Sequence, residues 1–369
     1  MIAVSSCEEI PHEAPALSSG ITCLQRMAIA HQIRTHTAHL SQENQPRQLA
    51  AIAAPIVDKY LGAAHQNLIR QFRAGDGVPY LLLRGLLDLD GLPPTPSDDS
   101  SPDEAGWRTP AATMLGYLKL CGAQGASFVD EMGGRLFHMV MPAQNSEKSR
   151  ARSTKALNFH TEVVNGYFAE EQPAPGSPIA PDMLALACLR NPHRVPTTVL
   201  PLAAVLRRLD AATVIELMRP AYSASSQSSF DRQITIHHVP CLVPLHSGHI
   251  GMRFSHSRLD GSDPGSRAAL ERLREVMRSF DASHAVVLTP GDVLVLNNRL
   301  CLHGRSEVGS SSRFDGSDRW LLRLYGYNPP TLARARFING SNHIMAVRPE
   351  PVQHLAPAPA NTPHVTTHP

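Results

Sequence analysis

The chain has 369 residues, 42% of them hydrophobic and 18% charged, and its formal net charge is +2. This length and composition suit a globular protein with a substantial core, and the nearly neutral charge argues against nucleic acid as a partner. The six scattered cysteines form no CxxC pair, and the sequence shows no signal peptide or membrane-length apolar run, so we expect a cytoplasmic protein with reduced thiols, no zinc site and no membrane partner.

The first part of the chain is predicted to be helical. Residues 1–20 carry no apolar pattern, and we expect them to be disordered. From about Ile21 to Ala74, apolar residues recur at helical spacing, with one interruption at Pro55. The short apolar run Pro79–Leu86 then suits a buried strand.

The following part is predicted to be mainly β. From about Gly134, short segments rich in β-branched and apolar residues alternate with Gly, Pro, Asn and Asp, which is typical of an antiparallel sandwich or barrel. One helix interrupts these strands at Ser266–Phe280, with Ser266 as its candidate N-cap.

These patterns together predict a mainly β fold with flanking helices, in a single domain over residues 21–348. Within it, the helical part covers about residues 21–78 and the β core about residues 79–348. The tail, residues 349–369, is rich in Pro, Ala, Thr and His and should be disordered.

A candidate metal motif occurs in the segment FHTE, where His160 and Glu162 are two residues apart. In an extended strand such residues project from the same face, so the imidazole and the carboxylate can reach the same metal ion. They would supply two ligands of the 2-His-1-carboxylate triad of non-haem iron sites. The pattern alone is weak, because about one or two such matches are expected by chance in this composition. The competing interpretation is a surface strand with a salt-bridged histidine.

A third candidate ligand, His303, follows in NNRLCLHGR, just after a predicted turn and strand. Gly304 beside it would let backbone or cosubstrate approach closely. The alternative is a loop histidine that is hydrogen-bonded to Asp292 or to a carbonyl group.

Two arginines stand beyond a Ser-rich loop, at the start of another predicted strand. Arg319 and Arg323 are four residues apart, so both can face the same side of that strand. A guanidinium group binds a carboxylate through two parallel hydrogen bonds, as a dicarboxylate cosubstrate requires. The apolar residues that follow Arg319 favour a buried role for it, whereas Arg323 could also be a surface charge.

These motifs, in this order, resemble the clavaminate synthase-like branch of Fe(II)/2-oxoglutarate-dependent oxygenases, a TauD-related group that includes β-hydroxylases of free amino acids. The resemblance implies a double-stranded β-helix (jelly-roll or cupin-like) core that uses Fe(II), 2-oxoglutarate and O2. It makes His160, Glu162 and His303 the catalytic metal ligands and Arg319 the partner of the far carboxylate of 2-oxoglutarate. The matching segments are LLLRGL, LPPTP, GGRLFHMVMP, FHTE, LALACLRNPH, NNRLCLHGR and RFDGSDRWLLRLY.

The resemblance also assigns residues around the substrate. Thr198 matches a threonine that contacts the same 2-oxoglutarate carboxylate, although it could be an ordinary strand residue. Arg323 matches the position that holds the substrate's carboxylate, and Glu162 borders the same space. His138 stands where the family usually has a glutamine that meets the amino-acid backbone.

Further departures from the family concern the substrate side chain. An inserted segment, residues 169–181, lies near where relatives place an active-site lid. Ser255, His256 and Ser257 occupy the region where relatives that hydroxylate arginine use paired acids, which weakens an arginine assignment.

The resemblance therefore predicts hydroxylation of an unactivated C–H bond of an amino acid, free or bound to a carrier protein, in specialised metabolism such as antibiotic biosynthesis, with release of succinate and CO2. Glu162 favours hydroxylation over halogenation, because related halogenases have Gly or Ala at that position to admit chloride. Desaturation or cyclisation by the same site is one alternative. A non-catalytic ligand-binding protein is another.

Overall fold

The computed structural model describes residues 20–97, 104–142, 155–280, 285–308 and 312–347. The disorder expected for residues 1–20 and 349–369 therefore falls, apart from Gly20, outside the described residues.

The N-terminal part of the described chain is a layer of helices. Thr22 caps the first helix by accepting a hydrogen bond from the backbone N–H of Gln25, whose side chain bonds back to the Thr22 backbone. Pro55 does not interrupt the second helix as expected, because that helix continues to Asp58. The helices are α1 (Cys23–Thr37), α2 (Pro46–Asp58), α3 (Ala63–Ala74) and α4 (Glu104–Leu120).

Helix α4 was not predicted from the sequence, and it extends the helical layer beyond residue 78. It packs closely against α2, where a Cβ on Gly116 would come within 2.7 Å of the Ala53 backbone. Only glycine permits this approach of the two helices.

A six-stranded sheet lies beneath the helices, in the order β1-β14-β6-β16-β2, with β4 also paired to β16. One of its faces packs on the helices through residues such as Val293 and Leu322, and the other faces a second hydrophobic cluster that includes Leu294 and Leu321. Its strands are β1 (Tyr80–Leu83), β2 (Gln124–Gly125), β4 (His138–Val140), β6 (Met183–Arg190), β14 (Val293–Asn297) and β16 (Trp320–Tyr327).

A second, four-stranded sheet has the order β13-β7-β15-β5 and is antiparallel throughout. Val199 of β7 contributes to the cluster shared with the large sheet, whereas Leu200 belongs to a cluster on the opposite face. The two sheets therefore pack against each other. The strands are β5 (Leu157–His160), β7 (Thr197–Pro201), β13 (Ala285–Val286) and β15 (Cys301–Arg305).

The remaining elements surround these two sheets. Helix α7 (Pro264–Arg278) matches the predicted helix, but its N-cap is Asp263, which accepts a hydrogen bond from the Ser266 backbone, and not Ser266 itself. No helix within the described ranges is long and apolar enough to cross a bilayer. The other strands and helices are β3 (Ser127–Phe128), α5 (Leu202–Leu206), α6 (Ala211–Leu217), β8 (Tyr222–Ser225), β9 (Thr235–Val239), β10 (Leu242–Pro244), β11 (Ile250–Met252), β12 (Leu259–Gly261), α8 (Pro329–Leu332) and β17 (Ile344–Met345).

Candidate active site

The three candidate metal ligands meet at one end of the small sheet. His160 ends β5 and lies directly opposite His303 of β15 in the strand register, and Glu162 follows two residues after His160. The Nε2 atom of His303 lies 3.3 Å from Oε1 of Glu162, and the Nε2 atom of His160 lies 4.0 Å from the same oxygen. One donor atom from each residue falls within 4.8 Å of the others. This donor set fits a 2-His-1-carboxylate iron site.

The protonation states of these side chains also fit a metal. The Nδ1 atom of His160 lies 2.8 Å from the Asn158 carbonyl, which can only accept, so Nδ1 carries the proton and Nε2 keeps its lone pair. Burial and the neighbouring His303 lower the pKa of His160 to about 4. Burial raises the pKa of Glu162, but Arg323 and His303 together hold it well below its usual value. His160 and Glu162 are thus in the deprotonated forms that a metal needs.

The alternative interpretation, that His303 is hydrogen-bonded to Asp292 or to a carbonyl group, does not hold for the described residues. Asp292 instead accepts hydrogen bonds from Arg84 and from the backbone of Gly85 and Thr289. His303 is 6% exposed and contacts Glu162.

Arg319 lies at the start of β16 and is 3% exposed. Among the described residues no carboxylate pairs with its guanidinium, and its Nε–H has no partner. Burial lowers its pKa to about 10. Arg305 lines the same cavity as Arg319. Burial and the neighbouring Arg319 lower the pKa of Arg305 to about 10 as well. An anionic group bound between these guanidinium groups would be strongly favoured.

Thr198, the residue expected to assist Arg319, does not line the cavity that Arg319 borders. Thr198 lies on the opposite face of β7, at a separate cleft with His256 and Met277. Its neighbour Thr197 is buried and borders the same cavity as Arg319. Successive residues of a strand point to opposite faces, so the two threonines cannot both face the cavity that Arg319 borders.

A cavity of about 180 Å³ joins the three candidate metal ligands to the arginines. It lies between the two sheets, and most of its wall is apolar. The inserted segment, residues 169–181, and the Ser255–Ser257 stretch contribute no lining residue to it. The apolar lining side chains are Met132, Met139, Val140, Met141, Leu157, Leu184, Leu186 and Leu321.

Arg323 faces this cavity together with Arg319, as expected, and forms ion pairs with two carboxylates. Its guanidinium donates to Glu162 and to Glu131, each at 3.1 Å, and also contacts Nδ1 of His138. Burial and Arg323 hold the pKa of His138 well below its usual value, so Nδ1 accepts from Arg323, and Nε2 carries the proton and has no partner among the described residues. His138 thus offers a buried donor on the cavity wall.

Sequence reasoning missed Glu131 and Gln227. Glu131 is fully buried, burial raises its pKa, and its Oε2 atom has no partner in the described chain. Gln227 donates a 2.9 Å hydrogen bond to Glu162, while its own Oε1 is buried and unpaired. Neither residue belongs to a spacing pattern that is typical of a metal or phosphate site, so nothing in the sequence singled them out.

The start of the inserted segment is held by ion pairs to two buried arginines. Glu170 pairs with Arg299 at 3.0 Å, and Glu171 pairs with Arg253. Both guanidinium groups also lie about 5 Å from the ring of Phe168, at 5.0 and 5.1 Å. Two nearly buried arginines therefore hold the start of the segment against the β core.

Comparison with known proteins gives a consistent result. The family model "Taurine catabolism dioxygenase TauD, TfdA family" matches residues 128–325, which include all three candidate ligands and the cavity arginines Arg319 and Arg323. L-Asparagine oxygenase of Streptomyces coelicolor is 30% identical over 73% of this chain and 77% of its own. L-Lysine 3-hydroxylase of Catenulispora acidiphila is 28% identical, over 70% of each chain. Clavaminate synthase 2 of Streptomyces clavuligerus is 29% identical, over 67% of this chain and 73% of its own.

Solved structures agree on the fold. Asparagine oxygenase, in complex with Fe(II), 3-hydroxyasparagine and succinate, superposes with a TM-score of 0.72 at 24% identity, over 89% of this chain and 99% of its own. The non-haem iron oxygenase OrfP, in complex with Fe and α-ketoglutaric acid, gives a TM-score of 0.69 at 24% identity with the same coverage.

Proposed function

The chain belongs to the TauD, TfdA family of dioxygenases, and we propose that it hydroxylates an unactivated C–H bond of a free amino acid. The protein is an Fe(II)/2-oxoglutarate-dependent oxygenase. The observation that carries the proposal is the cavity in which the cluster of His160, Glu162 and His303 shares its space with the unpaired guanidinium of Arg319.

In this proposal His160, Glu162 and His303 hold the iron, and the two packed antiparallel sheets form a double-stranded β-helix. Bound Fe(II) supplies the activation of O2 that couples decarboxylation of 2-oxoglutarate, to succinate and CO2, with oxidation of the substrate. Glu162 as a ligand favours oxygen insertion over halogenation.

Arg319 binds the far carboxylate of 2-oxoglutarate, and Thr197 is placed to donate its hydroxyl to the same group. Docking this carboxylate neutralises a buried cation that has no other counter-ion in the described chain. The apolar wall formed by Leu186 and Leu321 excludes water from the chain of the cosubstrate.

Arg323, Glu131 and His138 form the anchor for the amino-acid backbone. Arg323 offers a guanidinium to a carboxylate, and the unpaired Oε2 of Glu131 offers an acceptor to an ammonium group. His138 replaces the usual glutamine with the single donor Nε2–H. A paired cation and anion suit a free amino acid better than a carrier-bound one, because a thioester has no free carboxylate. The named relatives include L-lysine 3-hydroxylase and L-asparagine oxygenase.

The test is a screen for succinate formation with Fe(II), 2-oxoglutarate and O2 across free amino acids, with mass spectrometry of the products. We expect stimulation by a small group of amino acids and a gain of one oxygen atom. A loss of two hydrogens would indicate desaturation or cyclisation instead. No stimulation by any amino acid, together with no Fe(II) binding, would support the ligand-binding alternative.

A further inference from the structure

Asn298 connects the turn before β15 to the backbone of Glu162. It lies between β14 and β15 and is 1% exposed. Its Oδ1 accepts a 2.8 Å hydrogen bond from the Glu162 N–H, and its Nδ2 donates to the Glu162 carbonyl at 3.2 Å. The second Nδ2 hydrogen goes to the carbonyl of Pro181 at 2.9 Å. One amide side chain therefore satisfies both backbone polar groups of Glu162.

The backbone needs this support, because it turns sharply directly after Glu162. Val163 has φ +51°, in the left-handed region that β-branched residues rarely adopt. The same residue is buried in the cluster between the two sheets. A strained residue persists only where surrounding contacts fix it. Asn298 holds the peptide that joins Glu162 to Val163, and the Gly166 N–H donates to the Val163 carbonyl at 2.8 Å.

We infer that Asn298 is a positioning residue, which fixes the direction of the Glu162 carboxylate toward the two histidines and thereby sets the affinity for iron. The inference rests on the proposed role of Glu162 as a metal ligand. His303 follows Asn298 by five residues and lies on β15. The turn that contains Asn298 therefore bonds the backbone of one proposed ligand, Glu162, and leads directly into the strand that carries another. Through Pro181 it ties the end of the inserted segment to the same point.

Asn191 provides a matched control elsewhere in the molecule. It is 6% exposed, its Oδ1 accepts from the Val195 N–H at 3.0 Å, and its Nδ2 donates to the carbonyls of Val195 and Leu288. Arg194, which directly precedes Val195, has φ +52°. The pattern of bonds and the strained neighbour are the same, but the held residue is not a metal ligand.

The experiment compares anaerobic Fe(II) binding, by calorimetry without 2-oxoglutarate, in the wild type and in Asn298→Ala, Asn298→Asp and Asn191→Ala. Asn298→Asp keeps the side-chain size and the acceptor for the Glu162 N–H but cannot donate to either carbonyl. We expect both Asn298 variants to bind Fe(II) at least about tenfold more weakly. Asn191→Ala should bind Fe(II) with an affinity within about twofold of wild type. Without metal, it should lose about as much thermal stability as the Asn298 variants.

Three results would overturn the inference. The first is unchanged Fe(II) affinity in folded Asn298→Ala or, if that variant does not fold, in Asn298→Asp. The second is an equal loss of affinity in Asn191→Ala, which would indicate a general effect of lost stability. The third is a wild type that binds no Fe(II), and this result alone refutes the proposed metal site itself.

Discussion

Replacement of Arg319 by methionine should stabilise the protein in the absence of 2-oxoglutarate and remove its response to that cosubstrate. Arg319 is 3% exposed, and no carboxylate of the described chain pairs with it. A guanidinium that is buried without a counter-ion opposes folding, whereas methionine fills similar space without a charge.

The magnitude follows from the pKa of Arg319, which burial lowers from the ordinary arginine value to about 10. Each pKa unit corresponds to about 1.4 kcal/mol, so the charged side chain lowers the free energy of unfolding by about 3 kcal/mol. Because the folded pKa is the lower one, this penalty is complete below about pH 10 and disappears as the pH rises towards the pKa of arginine in the unfolded chain. Arg319→Met should therefore gain up to about 3 kcal/mol at neutral pH, which raises the melting temperature by several degrees.

The assay is thermal unfolding of the metal-free protein and of the protein with Mn(II) alone, repeated with Mn(II) and 2-oxoglutarate. Wild type should melt higher with Mn(II) and the cosubstrate than with Mn(II) alone, and Arg319→Met should show no such difference. Arg253→Met is the matched control, because Arg253 is equally buried but pairs with Glu171. Its loss should destabilise the protein by about 3–5 kcal/mol and leave the response to 2-oxoglutarate intact. A lower melting temperature for Arg319→Met, or a preserved response, would refute the reasoning.

Three further outcomes are expected. His303→Ala should abolish Fe(II) binding in calorimetry and succinate formation, because only two of the three protein ligands remain. The protein should stay folded. Thr197→Val should raise the KM for 2-oxoglutarate about tenfold in steady-state kinetics, because a buried partner is lost, and Thr198→Val should leave it unchanged; the reverse order would contradict the assigned strand faces. Arg299→Met should lower the free energy of unfolding by about 3–5 kcal/mol, because Glu170 and Asp182 lose their cation, with Fe(II) affinity within about twofold of wild type.

The sequence indicated that His160 and Glu162 lie close together because residues two apart in extended backbone project to the same side. In the structure β5 ends at His160, and Glu162 lies just beyond the strand, where its backbone is held by Asn298. The order of the later motifs then indicated His303 and Arg319, and the predicted family is confirmed by the comparisons.

Helix α4 escaped prediction because it lacks a one-sided apolar stripe. Its own residues are buried on nearly all sides of the helix, as Trp107, Ala111 and Tyr117 show. Apolar residues therefore do not recur at the helical spacing of 3.6 in its sequence. It also contains Pro110 and Gly116, which normally disfavour a helix. Gly116 is required by the close contact with α2, and tertiary packing therefore overrides local propensity.

The choice between Thr197 and Thr198 shows what a strand pattern leaves undetermined. The alternation of side chains along a strand shows that the two threonines face opposite ways, but it does not show which of them faces the proposed metal site. The strand register decides it, since residues directly opposite one another in an antiparallel pair share a face. Val199 lies opposite His303 and Thr197 opposite Arg305, so Thr197 shares the face of the metal ligand. The partner strand comes from more than a hundred residues away in the chain, and only the folded structure supplies that pairing.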